Sequence, residues 1–94
     1  MRSNSVYKIP NGKLVKINLE YDKNKKKIIN ISINGDFFAY PEEAIEVLEE
    51  KLIDKKLVEN ELIKKIEDII SKNNFEFIGL NSNGLAKGIM MCVK

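Results

Sequence analysis

The chain has 94 residues, 44% of them apolar and 32% charged, with a formal net charge of +2, a balance that fits one globular domain. It has no histidine and one cysteine, Cys92. That combination excludes an internal disulfide, effectively excludes a zinc centre and removes the usual general base for nucleophilic catalysis.

A chain of this length buries roughly 60–70% of its unfolded surface, enough for a core without metal or disulfide staples. No run of about 18 apolar residues occurs, and Met1-Arg2-Ser3-Asn4-Ser5 leads into no apolar signal segment. The expectation is a single cytoplasmic domain over residues 1–94, with Cys92 as a small buried hydrophobe. The charge is uneven: residues 1–40 carry a net +5 and residues 41–94 a net −3. The positive half peaks at Lys23-Asn24-Lys25-Lys26-Lys27, which reads as a solvated turn and could also attract a phosphate-rich partner.

In chain order, Val6 to Ile9 is a short β-prone segment followed by Pro10-Asn11-Gly12, a strong turn signal. Lys13 to Tyr21 alternates, with Val15, Ile17, Leu19 and Tyr21 on one face and Lys16, Asn18 and Glu20 on the other. Asp22 to Lys27 is a polar hairpin loop. Ile28 to Asn34 repeats the alternation, which assigns Ile29, Ile31 and Ile33 to the core. One buried and one wet sheet face imply an antiparallel meander.

Gly35 interrupts this strand as a bulge or bend, and Asp36 to Ala39 forms a further short strand. Neighbouring strand residues point to opposite faces, so Phe37 and Phe38 cannot share one core. Continuing the parity of the isoleucines places Phe37 inward and Phe38 outward; a bulge at Gly35 would reverse them. Pro41 reads as the first helical residue, with Glu42 and Glu43 in the first turn as partners of the helix dipole rather than as a catalytic carboxylate pair. Ala44, Ile45, Leu48, Leu52 and Ile53 form the apolar stripe of a helix ending near Asp54.

A second amphipathic helix spans about Val58 to Lys72, with Leu62, Ile63, Ile66, Ile69 and Ile70 on its core side, and stops at Asn73-Asn74. Phe75 to Leu80 alternates as a short strand or extended connector. Asn81-Ser82-Asn83 offers caps for a last helix with Leu85, Ile89 and Val93 inward, and Gly84 and Gly88 permit close backbone contact with a neighbour. The fold class is therefore α+β: an antiparallel meander of three to four strands with about three helices packed on one face.

Gly84-Leu85-Ala86-Lys87-Gly88 lacks the strand–glycine loop–helix arrangement of a phosphate cradle. Tyr7, Tyr21, Phe37 and Phe38, near Lys8, Lys13 and Lys16, leave one alternative: a small nucleic-acid-binding domain that uses the basic sheet half.

Three segments give the chain a family likeness. Lys8-Ile9-Pro10-Asn11-Gly12-Lys13-Leu14-Val15 leads into the first long strand, Ile33-Asn34-Gly35-Asp36-Phe37-Phe38 is followed by Pro41-Glu42-Glu43, and Phe77-Ile78-Gly79-Leu80 precedes the last helix. Together they resemble the accessory, C-terminal domain of lipoate–protein ligases, which occurs fused to a catalytic domain or as a separate small subunit. Asn11 stands where glycine is more usual, a change that alters the turn chemistry little.

The resemblance implies an ATP-dependent ligase complex that activates lipoate to lipoyl-adenylate and transfers it to a lysine of an acceptor domain. It implies that this chain is a non-catalytic subunit needed chiefly for adenylation, with no catalytic, cofactor or metal residues of its own. ATP, Mg and lipoate are expected on the catalytic partner, whose catalytic lysine and glycine-rich loop have no match here. The lipoyl acceptor domain is an indirect partner, and neither membrane nor nucleic acid is expected as one. The family domain also resembles iron–sulfur assembly scaffolds in fold, but the lone Cys92 makes a cluster role the poorer inheritance. Candidates for partner or substrate contact are Lys13, Gly35, Asp36, Phe37 and Phe38.

Overall fold

The computed structural model describes residues 1–94. It contains β1 (Arg2–Lys8), β2 (Leu14–Asp22), β3 (Lys27–Gly35), β4 (Phe38–Tyr40), α1 (Ala44–Leu52), α2 (Glu59–Asn73), β5 (Glu76–Ile78) and α3 (Ser82–Met90). Strands β1, β2 and β3 form an antiparallel meander in that order, and β4 and β5 form a separate two-stranded ribbon.

The alternation read from β2 is realised: Val15, Ile17, Leu19 and Tyr21 are buried. Each fully buried aliphatic side chain contributes about 1.5–3 kcal/mol relative to exposure. The Tyr21 hydroxyl donates to Met1 Sδ at 3.2 Å and accepts from the Lys94 amide at 3.0 Å, so its polar end is satisfied inside the core.

β3 departs from its alternation. Glu20 faces Asn30 but Tyr21 faces Ile28, so Ile29 is an extra residue at a bulge. Ile28 takes the inward position and Ile29 turns out, 47% exposed, which corrects the assignment of Ile29 to the core. Ile31 and Ile33, beyond the bulge, are buried as expected. The turn before β3 is held by Asp22 Oδ1, which accepts from the Asn24 and Lys25 amides at 2.9 Å.

Two further expectations are revised. The short strand after Gly35 leaves the meander and pairs with β5 instead. Because β4 runs through Tyr40, the chain must still turn before a helix can start. Pro41, which follows a cis bond, therefore closes a turn in which its carbonyl accepts from the Ala44 amide at 3.0 Å. Helix α1 begins at Ala44 with Glu43 as its N-cap, so Pro41, Glu42 and Glu43 precede the first turn rather than form it.

All three helices cover the inner face of the meander. Ala44, Leu48 and Leu52 of α1, and Leu62, Ile66 and Ile69 of α2, are buried at helical spacing. Ile53 lies just past α1 and is exposed, because the helix ends before its position on the stripe. Helix α2 stops where Asn74 turns left-handed at φ 53°, a conformation asparagine tolerates, and returns its amide to Ile70 and Ser71.

Helix α3 begins at an asparagine cap, the Asn81 side chain accepting from the Gly84 amide at 2.7 Å. It lies close on β1 and β2. A Cβ at Gly84 would sit 2.7 Å from the Ile9 side chain, and Ser5 Oγ donates to the Gly88 carbonyl at 2.6 Å. Cys92 is fully buried beside Ser5, and burial raises its thiol pKa.

Candidate partner interface

The β4–β5 ribbon lies where β2 begins. The Lys13 amide donates to the Gly79 carbonyl at 2.9 Å, and the Asp36 amide donates to the Leu14 carbonyl at 3.2 Å. These two bonds tie the start of β2 to the residue after β5 and to the approach to β4. Glycine is required on both sides. A Cβ at Gly35 would collide with the Leu14 carbonyl oxygen, and one at Gly79, which has φ 88°, would collide with the Lys13 side chain.

Lys13, Gly35, Asp36, Phe37 and Phe38 are therefore brought to one end of the molecule. Their surroundings differ. Phe37 is half-buried and packs against the core, with its ring beside Gly35. Phe38 is 60% exposed and pairs across the ribbon with Ile78, itself 53% exposed. Tyr40 lies two residues on, on the same face, 53% exposed and opposite Glu76. Ala39 and Phe77 occupy the inner face, and Phe77 meets Phe75 edge to face with ring centroids 6.4 Å apart.

Phe38, Tyr40 and Ile78 thus form a contiguous apolar face on a short ribbon. Tyr40 and Ile78 were not among the sequence candidates. The parity of Tyr40 with Phe38 was a usable signal. Ile78 had none, because nothing in its segment says that its partner strand is β4. Lys13 and Asp36 are exposed at the border of this face, and neither makes an ion pair.

No group of three or more His, Cys, Asp or Glu side chains is arranged to hold a metal ion. The outer face of the meander is not a stacking platform. Asn18, Lys16 and Glu20 of β2 lie between Asn4 and Arg2 of β1 and Asn30, Ser32 and Asn34 of β3. Tyr21 is buried and Tyr7 half-buried beneath that sheet. The basic sheet face therefore lacks the exposed aromatics on which bases would stack, and the nucleic-acid reading loses its platform.

The model for the family described as bacterial lipoate protein ligase C-terminus matches residues 8–88. The chain belongs to this family. The ligase C-terminal domain also matches a solved chain from an archaeal lipoylation system of Thermoplasma acidophilum, described as a bipartite lipoate protein ligase and its E2 lipoyl domain. The TM-score is 0.79 at 25% identity, and the match covers 95% of this chain and 94% of that one. A search of curated proteins returned no match. No helix of the domain is long and apolar enough to cross a membrane.

Proposed function

We propose that the chain is the non-catalytic accessory subunit of a two-component, ATP-dependent lipoate–protein ligase, required with a separate catalytic chain for activation of lipoate to lipoyl-adenylate. The observation that carries this reading is the match, over nearly the full length of both chains, to a chain of a bipartite ligase system. ATP, Mg and lipoate sit on the catalytic partner in this reading. This chain contributes preorganisation: its docking orders the partner's loops and excludes water before adenylation.

The exposed Phe38–Tyr40–Ile78 face is the partner surface in this proposal. Large rigid aromatics surrounded by polar residues are the side chains that dominate such interfaces. Lys13 and Asp36 supply the charged border, and Phe37 holds the ribbon from beneath.

The test is lipoate-dependent ATP–pyrophosphate exchange by the catalytic chain with and without this protein. Stimulation that saturates with added protein supports the proposal. No stimulation at saturating protein overturns it.

A further inference from the structure

The two edges of the meander are finished differently, and the contrast points to a second interaction site. Met1 and Tyr21 exchange both backbone hydrogen bonds at 2.9 Å, which fixes the parity of the β1–β2 ladder. Ser3, Ser5 and Tyr7 then also bond β2, and the backbone groups of Arg2, Asn4, Val6 and Lys8 point away from it. No backbone or side-chain partner meets those outward groups.

On β3 the opposite holds. The Ile33 amide donates to Glu49 Oε2 at 2.8 Å and the Ile31 amide to Asn30 Oδ1 at 3.0 Å. The Ile28 amide and carbonyl are taken by Lys55 and Asp54, and the Leu57 amide bonds Lys26. The Ile28, Ile31 and Ile33 amides of one edge are taken, while the other edge is an open template for a further strand.

The open edge has a groove beside it. Where β1 ends, Tyr7, Ile9, Gly84, Asn83 and Lys87 line a depression of about 440 Å³ between the strand and α3, with Glu59 on its far side. Arg2 and Lys8 stand on the outer face at the two ends of β1, with Lys16 on the adjoining strand. Arg2 lies 3.8 Å from Glu20 of that strand, so the three cations and one acid leave this margin net positive, most strongly at the Lys8 end. A strand added here would satisfy the free backbone groups, drop alternate side chains into the groove and set one end against the unpaired Lys8 and the other beside the Arg2–Glu20 pair.

We propose that the β1 edge binds an extended acidic segment of a partner polypeptide by strand addition. A second copy of this chain fits less well. In the two-fold antiparallel register that engages all four outward residues, Arg2 faces Lys8 of the copy at both ends, and like charges directly opposite are destabilising. The net positive margin of Arg2, Lys8 and Lys16 against Glu20 favours glutamate or aspartate in a foreign strand. This site is separate from the aromatic face on the β4–β5 ribbon and does not depend on the ligase reading.

The probe is a short synthetic peptide of alternating valine and threonine with glutamate at each end. Binding should slow hydrogen exchange at the amides of Arg2, Asn4, Val6 and Lys8. Val6→Pro removes an outward donor without touching the β1–β2 ladder, so the domain should keep its thermal unfolding midpoint and lose binding by about tenfold or more. Lys8→Glu should weaken binding about three- to tenfold, the scale of an exposed ion pair reversed.

Three results would overturn the proposal: no binding at any soluble peptide concentration, binding unaffected by Val6→Pro, or amide protection elsewhere on the domain. A dimer of the free protein that Val6→Pro dissociates would also overturn it, by placing a second copy on this edge.

Discussion

The molecule has two sheets that use their residues in opposite ways. In the meander, the central strand buries every second residue, and its outer face carries Lys16, Asn18 and Glu20. In the β4–β5 ribbon the inner face is only half-buried, while the outer face carries Phe38, Tyr40 and Ile78. A sheet that points most of its large apolar residues inward stabilises the fold. A ribbon that holds its largest side chains out in water gains little from them unless another surface covers them. The difference separates what makes the domain fold from what it leaves in water.

Substitutions can break that division. The largest expected effect is in the meander: Ile17→Ala should destabilise by about 2–5 kcal/mol, read from denaturant midpoints, because it leaves a cavity beneath α3. Phe37→Ala, under the ribbon, should cost about 2 kcal/mol, less than a fully buried phenylalanine. Gly84→Ala sets two effects against each other. Helix propensity gains up to about 1 kcal/mol, but the new Cβ meets three atoms of Ile9 at 2.7–2.9 Å. Overpacking of that kind costs about 1–3 kcal/mol, so net destabilisation is expected in the same unfolding assay.

Phe38→Ala should change stability by less than about 0.5 kcal/mol. If the ribbon is the partner surface, the same variant should weaken binding to the catalytic chain by about 2 kcal/mol, measured by calorimetry. Unchanged binding would remove the ribbon from the interface and leave the stability side of the comparison standing.

The smallest effect lies at the β2–β3 turn. The amides of Lys25 and Asn24 lower the Asp22 pKa below its ordinary 3.8. Its stabilising contribution is thus present above the unfolded value and lost as pH falls through the lowered folded one. Urea midpoints measured from pH 5 downward should fall slightly more for the wild type than for Asp22→Asn.

Much of the meander was legible because period-two alternation is a local signal, and one buried face enforces it over a whole strand. Helix α2 was legible for the same kind of reason, with Leu62, Ile66 and Ile69 repeating at the helical period and asparagine ending the run. Strand parity assigned Phe38 outward unless Gly35 reversed it, and Phe38 is exposed although β4 belongs to a different sheet. The chain's family likeness was carried by short segments around Pro10-Asn11-Gly12 and Gly35-Asp36-Phe37-Phe38.

The errors arose where a distant segment decides a local choice. Whether Ile28 or Ile29 faces inward depends on a bulge against Glu20 and Tyr21, and no property of the isoleucine run specifies it. Pro41 fits a helix start by composition, but β5, more than thirty residues further on, holds the chain extended through Tyr40 and delays the helix to Ala44. Tyr40 and Ile78 become one surface with Phe38 only when β4 meets β5. The sequence by itself determined the periodicities, the turns and the absence of histidine. Tertiary structure decided which strands pair, and therefore which apolar residues remain in water, because pairing is a long-range contact that no local pattern encodes.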